Sequence, residues 1–136
     1  MKYSLYIGRW QPWHKGHQWL IEQRLKEGKN VWLAIRDVPT DENNPYTAQQ
    51  VLDNLTQEFK DLINEKKIII SIIPDIESVN YGRGVGYEIN EFQPPADSGA
   101  MFISATKIRE SIKNGDNTWK TMVDDSLHSD IEGYLV

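Results

Sequence analysis

Three short apolar runs, separated by longer segments with helical spacing, constrain this chain more than any other feature. Tyr3-Ser4-Leu5-Tyr6-Ile7 is rich in β-formers and stops at Gly8. Val31-Trp32-Leu33-Ala34-Ile35 is apolar almost without a break, and Ile68 to Ile73 repeats the pattern. Runs of this kind suit strands of a sheet covered on both faces. Between the first two runs, Trp19, Leu20, Ile21 and Leu25 fit a helix from about Gly16 to near Gly28. Beyond the Pro-, Asp- and Asn-rich stretch from Asp37 to Pro45, Thr47 is placed to cap a second helix. That helix would carry Val51, Leu52, Leu55, Phe59, Leu62 and Ile63 on one face. The order β-α-β-α-β argues for parallel crossovers and an α/β open parallel sheet with helices on both faces.

A length of 136 residues suits one domain spanning 1–136, and 39% hydrophobic residues suffice for a packed interior. The net charge of −5 removes the broad basic footprint of a duplex-binding protein, so no nucleic-acid partner is expected. No membrane association is expected either: no stretch approaches the ~18 apolar residues of a span, the run Ile68-Ile69-Ile70 is soon broken by Ser71 and Pro74, and the N-terminus has no signal-peptide core. The absence of cysteine excludes disulfides and thiolate metal sites and fits a cytoplasmic protein. Past the third run, a short strand over Glu77 to Tyr81 and a helical turn within Val85 to Phe92 are the readings on offer. Gln93 to Gly99 reads as a loop and Ala100 to Ile103 as a short strand. A helix from Ser104 or Thr106 to about Lys113, closed by Asn114-Gly115, follows, with one or two short helices in the tail.

The chemistry concentrates in two places. Gly8-Arg9-Trp10-Gln11-Pro12-Trp13-His14-Lys15-Gly16-His17 sits at a strand-to-helix junction, where open α/β sheets bind their ligands. A helix N-terminus favours phosphate, Gly16 permits close backbone approach, and Arg9 and Lys15 add positive charge. His14 and His17 are two of only three histidines, and their imidazoles are suited to stabilise charge in a transition state. A zinc site has no third ligand in view, so no protein-bound metal is expected. The second place is Ile103-Ser104-Ala105-Thr106-Lys107-Ile108-Arg109. Its hydroxyls suit a helix cap or a phosphate oxygen, and Arg109 offers a planar fork of donors.

His14-Lys15-Gly16-His17 resembles the (T/H)xGH motif of the HxGH-type nucleotidyltransferases, and Ile103 to Arg109 resembles their ISxTxxR motif; together the two span nearly the whole chain. The resemblance implies a Rossmann-like domain that transfers a nucleoside monophosphate from a triphosphate to a phosphate-bearing acceptor, with Mg²⁺, releasing pyrophosphate. It implies that His14, His17 and Arg109 act in catalysis. It also implies a nucleotide site of Ile7, Gly8, Arg9, Gln11, Lys15, Gly16, Ser104 and Thr106. Gly8-Arg9-Trp10-Gln11-Pro12 looks like the GRFQP form of nicotinamide-mononucleotide adenylyltransferases, and Asn44-Pro45-Tyr46-Thr47-Ala48 resembles their NPFTA stretch. ATP with NMN is thus the favoured pair, and CTP with a small alcohol phosphate such as glycerol 3-phosphate the runner-up. A non-catalytic nucleotide-binding module is the rival from another class. Proteins resembling this one form homo-oligomers, though no feature here marks an interface.

On the acceptor side three residues are expected to contribute. Trp13 offers an aromatic face to a base, Asp37 follows the second strand, and Arg83 lies within the glycine-rich Gly82-Arg83-Gly84-Val85-Gly86. His128 and the acidic residues of the tail read as incidental.

Overall fold

The computed structural model of the chain describes residues 1–92, 105–128 and 131. Its elements are β1 (Tyr3–Gly8), α1 (Lys15–Leu25), β2 (Asn30–Asp37), α2 (Ala48–Glu58), α3 (Lys60–Asn64), β3 (Ile68–Pro74) and α4 (Ala105–Lys113), followed by 3-10 turns at Thr118–Thr121 and Asp125–Leu127. The expected strand at 100–103, the loop at 93–99 and Ser104 lie outside the described residues.

The three strands form one parallel sheet in the order β1-β2-β3. Leu33 of β2 stands between Tyr6 of β1 and Ile70 of β3. Val31, Leu33 and Ile35 are fully buried, together with Ile21 of α1, Val51 and Leu55 of α2, and Ile68. Each such side chain contributes about 1.5–3 kcal/mol by leaving water. These parallel crossovers make the α/β, Rossmann-like architecture that the alternation of runs predicts. β3 is less covered than its apolar run suggests. Ile69 and Ile72 are each 38% exposed, because β3 has a neighbour on one side only among the described residues.

Thr47 caps α2 as expected, and its hydroxyl accepts from Gln50 N–H while the Gln50 side chain accepts from Thr47 N–H. The single helix expected from Thr47 to Ile63 is instead broken at Phe59, whose φ of −110° and ψ of 23° leave the helical region. The break lets the buried Phe59 ring meet Trp13 edge-on, with centroids 5.5 Å apart. Residues 75–92 form no strand or helix, which corrects both readings of that stretch. Val79, Tyr81, Tyr87 and Ile89 stay exposed there, so nothing offsets the entropy of ordering an element. α4 ends where Asn114-Gly115 predicts. Gly115 adopts φ +75°, and its N–H donates to Ile112 O. Among the described residues no helix is long and apolar enough to cross a membrane.

Candidate active site

The chain leaves β1 at Gly8 and must turn sharply to start α1 at Lys15. Trp10 takes a left-handed conformation with φ of 56°, and the Gln11-Pro12 peptide is cis. A bulky residue in that region costs about 1–3 kcal/mol, so the surroundings must hold it there. They do: the indole is buried, and its Nε1–H donates to Ala34 O at 3.2 Å. The indole also lies so close over Gly8 that a Cβ there would come within 2.8 Å of its six-membered ring. Gly8→Ala is therefore expected to displace Trp10 and cost about 1–3 kcal/mol. A thermal melt checks this, and an unshifted midpoint would mean that the indole is free to move.

His14 is the N-cap of α1 and His17 its third residue, and they cap each other. His17 N–H donates to His14 Nδ1 at 3.2 Å, and His14 N–H donates to His17 Nδ1 at 3.3 Å. This is the geometry of a capping box, with imidazoles in place of a hydroxyl and a carboxylate. Both Nδ1 atoms accept, so each neutral ring carries its proton on Nε2, a donor that the cap leaves unused. The rings stack at 3.5 Å, and Trp10 and Trp13 pack on His17 with centroids 4.8 and 5.1 Å away. Burial lowers the His14 pKa to about 4. Burial, and then the charge that His14 would carry, push His17 well below its ordinary value. The pair is thus neutral at pH 7.

The lowered values make stability depend on pH. In the unfolded chain both groups take up protons near pH 6.5, while the folded pair resists until a lower pH. Stability is therefore fully present above about pH 6.5 and falls as the pH drops toward 4. For His14 alone the full effect is roughly 3 kcal/mol. His14→Asn keeps a capping oxygen but does not titrate, so its melting temperature is expected to fall less between about pH 7 and about pH 4.5. Parallel curves for the two proteins would remove His14 from this role.

Around the histidines the loops are stitched together. Arg9 Nη1 donates to Asn44 Oδ1 at 3.0 Å. Asn44 is itself held by Asp41, whose carboxylate accepts from Asn44 N–H at 2.7 Å and from its Nδ2 at 3.0 Å. Gln11 Nε2 donates to Tyr46 O at 2.8 Å and Gln11 Oε1 accepts from Tyr46 N–H at 2.9 Å. From α4, Arg109 Nη1 donates to Gln11 O at 2.7 Å, with Thr106 Oγ1 beside its Nη2 at 3.4 Å. Burial and the neighbouring Arg9 charge both lower the Arg109 pKa, the mark of two cations gathered at one place. Lys15 N–H donates to Met122 O at 2.8 Å, so the chain beyond α4 closes on the start of α1. With His17 N–H taken by His14, Gly16 N–H is the one of the first three helical amides without a partner among the described residues.

The structure thus brings the loop and helix start that carry Gly8, Arg9, Gln11, His14, Lys15, Gly16 and His17 together with Thr106 and Arg109 of α4, and Ile7 precedes them at the end of β1. Gln11 is only 3% exposed and its amide is engaged with Tyr46, which sets it apart from a nucleotide contact. Trp13 is likewise 3% exposed and boxed by Trp10, His17 and Phe59, so its ring has no open face for a base. Asp37 is exposed at the end of β2, and Arg83 is exposed on the loop after β3 with no bond to the histidine loop or α4 among the described residues. Sequence reasoning missed Asp41, Asn44 and Met122 as site residues. The first two lie in or just before the Asn44-Pro45-Tyr46 stretch, whose composition predicts a loop but not its partner. Met122 contributes only a backbone carbonyl, which leaves no side-chain signal. His128 is not incidental: its Nε2 lies 3.0 Å from both Lys120 O and Val123 O, so it pins the turn that carries Met122.

No protein-family model matches the chain. Among curated proteins it is similar to the nicotinamide-nucleotide adenylyltransferase of Caldivirga maquilingensis, at 28% identity over 91% of this chain and 84% of that protein. It is similar at 26% identity to the enzymes of the same name from Pyrobaculum aerophilum, over 93% of this chain and 85% of that protein, and Methanococcus maripaludis, over 93% and 86%. Matches that run through the sheet, the histidine cap and α4 alike make this chain a distant homologue of the nicotinamide-nucleotide adenylyltransferases, in the HxGH nucleotidyltransferase superfamily.

Proposed function

We propose that the chain transfers AMP from ATP to NMN, or to a similar phosphate-bearing acceptor, and releases pyrophosphate. The observation that supports this reading is the bond from Arg109 to the carbonyl of Gln11, which ties the cation of the late motif to the loop that leads into the two histidines. The names of the relatives supply the acceptor class.

An acceptor phosphate is already ionised at neutral pH, so the reaction needs no general base. Its oxygen attacks the α-phosphorus in line, the bond to the bridging oxygen breaks, and pyrophosphate leaves with that electron pair. What the protein must supply is alignment and donors where negative charge grows. His14 and His17 suit this as neutral Nε2–H donors, held by a cap that has no other freedom. Arg109, Thr106 and Ser104 are assigned to the β- and γ-phosphates, with Arg9, Lys15 and Gly16 N–H beside them. Asp37 and Arg83 are kept as acceptor-side candidates, and Trp13 is left out for want of an open face. Among the described residues no group of three or more His, Cys, Asp or Glu side chains is placed to hold a metal. A Mg²⁺ ion is assigned to the triphosphate, whose oxygens suit this hard cation.

Pyrophosphate release with Mg²⁺ tests the reading, with ATP and CTP each offered NMN, glycerol 3-phosphate, phosphocholine, FMN and pantetheine phosphate. Release with ATP and NMN alone is expected. Release with CTP and an alcohol phosphate would make the chain a cytidylyltransferase. Silence across the panel, with nucleotide still bound, would favour a non-catalytic module.

A further inference from the structure

We infer that Gln11 is a positioning residue that holds Arg9 and Arg109 at a set spacing, as the two jaws of one polyphosphate clamp. The inference rests on the reading of both arginines as phosphate holders. Gln11 reaches each of them by a different route. Its backbone carbonyl accepts directly from Arg109 Nη1 at 2.7 Å. Its side-chain amide grips the main chain of Tyr46 from both sides, at 2.8 and 2.9 Å. Tyr46 follows Asn44 with only Pro45 between them, and Asn44 Oδ1 receives Arg9 at 3.0 Å. The ring of Pro45 fixes its φ, which leaves the segment one fewer dihedral with which to absorb a shift of Tyr46 before it reaches Asn44.

Two guanidiniums brought together repel, and each needs an anchor that is not a counter-ion. The arginine ion pairs among the described residues are Arg24 with Glu27 and Arg36 with Asp75; Arg9 and Arg109 make none there, and the carboxylate they both feel is that of Asp41, which holds Asn44. Neutral oxygens of Gln11 and Asn44 are their direct anchors, and Asp41 offsets part of the charge through space rather than by a direct pair. A clamp ordered in advance spends less of its binding energy on ordering itself.

The test is calorimetric binding of ATP and of inorganic tripolyphosphate to the full chain and to Gln11→Ala, Arg9→Ala and the double variant, with melting temperatures recorded. Gln11→Ala is expected to weaken both ligands about tenfold, and the double variant to lose much less than the product of the single losses, because Gln11 acts through Arg9. Binding within about twofold of the parent, or losses that multiply, would overturn the inference. Multiplied losses would instead mark Gln11 as a direct contact. Should Gln11→Ala fail to fold, Asn44→Ala cuts the Arg9 arm alone. It is expected to weaken tripolyphosphate in the parent and to add nothing in the Arg9→Ala background, and an added loss overturns the inference equally. Turnover enters none of these readouts, so absence of nucleotidyl transfer would sink the proposed function and leave this result standing.

Discussion

Replacing His17 by alanine is expected to cut turnover by about 10²–10³-fold, the usual cost of removing one preorganised donor from a developing charge. Nucleotide affinity should change far less, since the arginines and the helix terminus remain. The alanine variant also loses half of the reciprocal cap, because His14 N–H then has no acceptor, at about 1 kcal/mol. His17→Gln separates the two effects. Glutamine is a natural partner at the third position of a capping box, so it should recover most of the melting temperature and little of the turnover. Steady-state rates with ATP and acceptor, beside nucleotide binding by calorimetry, decide the matter. A variant whose affinity collapses while its turnover at saturation stays within tenfold of the parent would make His17 a binding group only.

The second large effect is expected at Arg109. Its guanidinium bridges Gln11 O and Thr106 Oγ1, both neutral acceptors. Arg109→Ala removes the cation and unties α4 from the histidine loop, and kcat/KM is expected to fall by about 10²–10³-fold. Lysine restores the charge as a single point but not the planar fork, so Arg109→Lys should recover only about tenfold of that loss. The comparison is made on kcat and on KM for the triphosphate separately. A lysine variant equal to the parent would show that charge alone matters at this position, and the anchoring by Gln11 would then lose its purpose.

The two predictions differ in how much of their basis was legible before any tertiary structure. The histidine pair stood out because two of three histidines flank a glycine at a strand-to-helix junction, all within one loop and one helical turn. That the rings cap each other and stack is a consequence of the same local geometry. Taken residue by residue, Arg109 was legible as one cation on a capped helix, a commonplace arrangement, and it was the resemblance to the ISxTxxR motif that singled it out. Its meaning comes from a hydrogen bond that spans 98 residues of chain.

Local periodicity determined the strands, the helices and the strand-to-helix junction at which phosphate chemistry is proposed, because apolar spacing, caps and glycine turns act over a few residues. It also placed Thr47 at the start of α2 and Gly115 at the end of α4. Only the tertiary structure decided what those elements do to one another. The parallel sheet brings the C-terminal ends of β1 and β2 side by side, and Gln11 thereby finds Tyr46, 35 residues away. The same packing turns Phe59 out of its helix to meet Trp13, which closes the ring face that a base would have needed. It also delivers the Met122 carbonyl to Lys15. Such pairings have no period and often use backbone atoms common to every residue, so they leave no trace in the order of side chains.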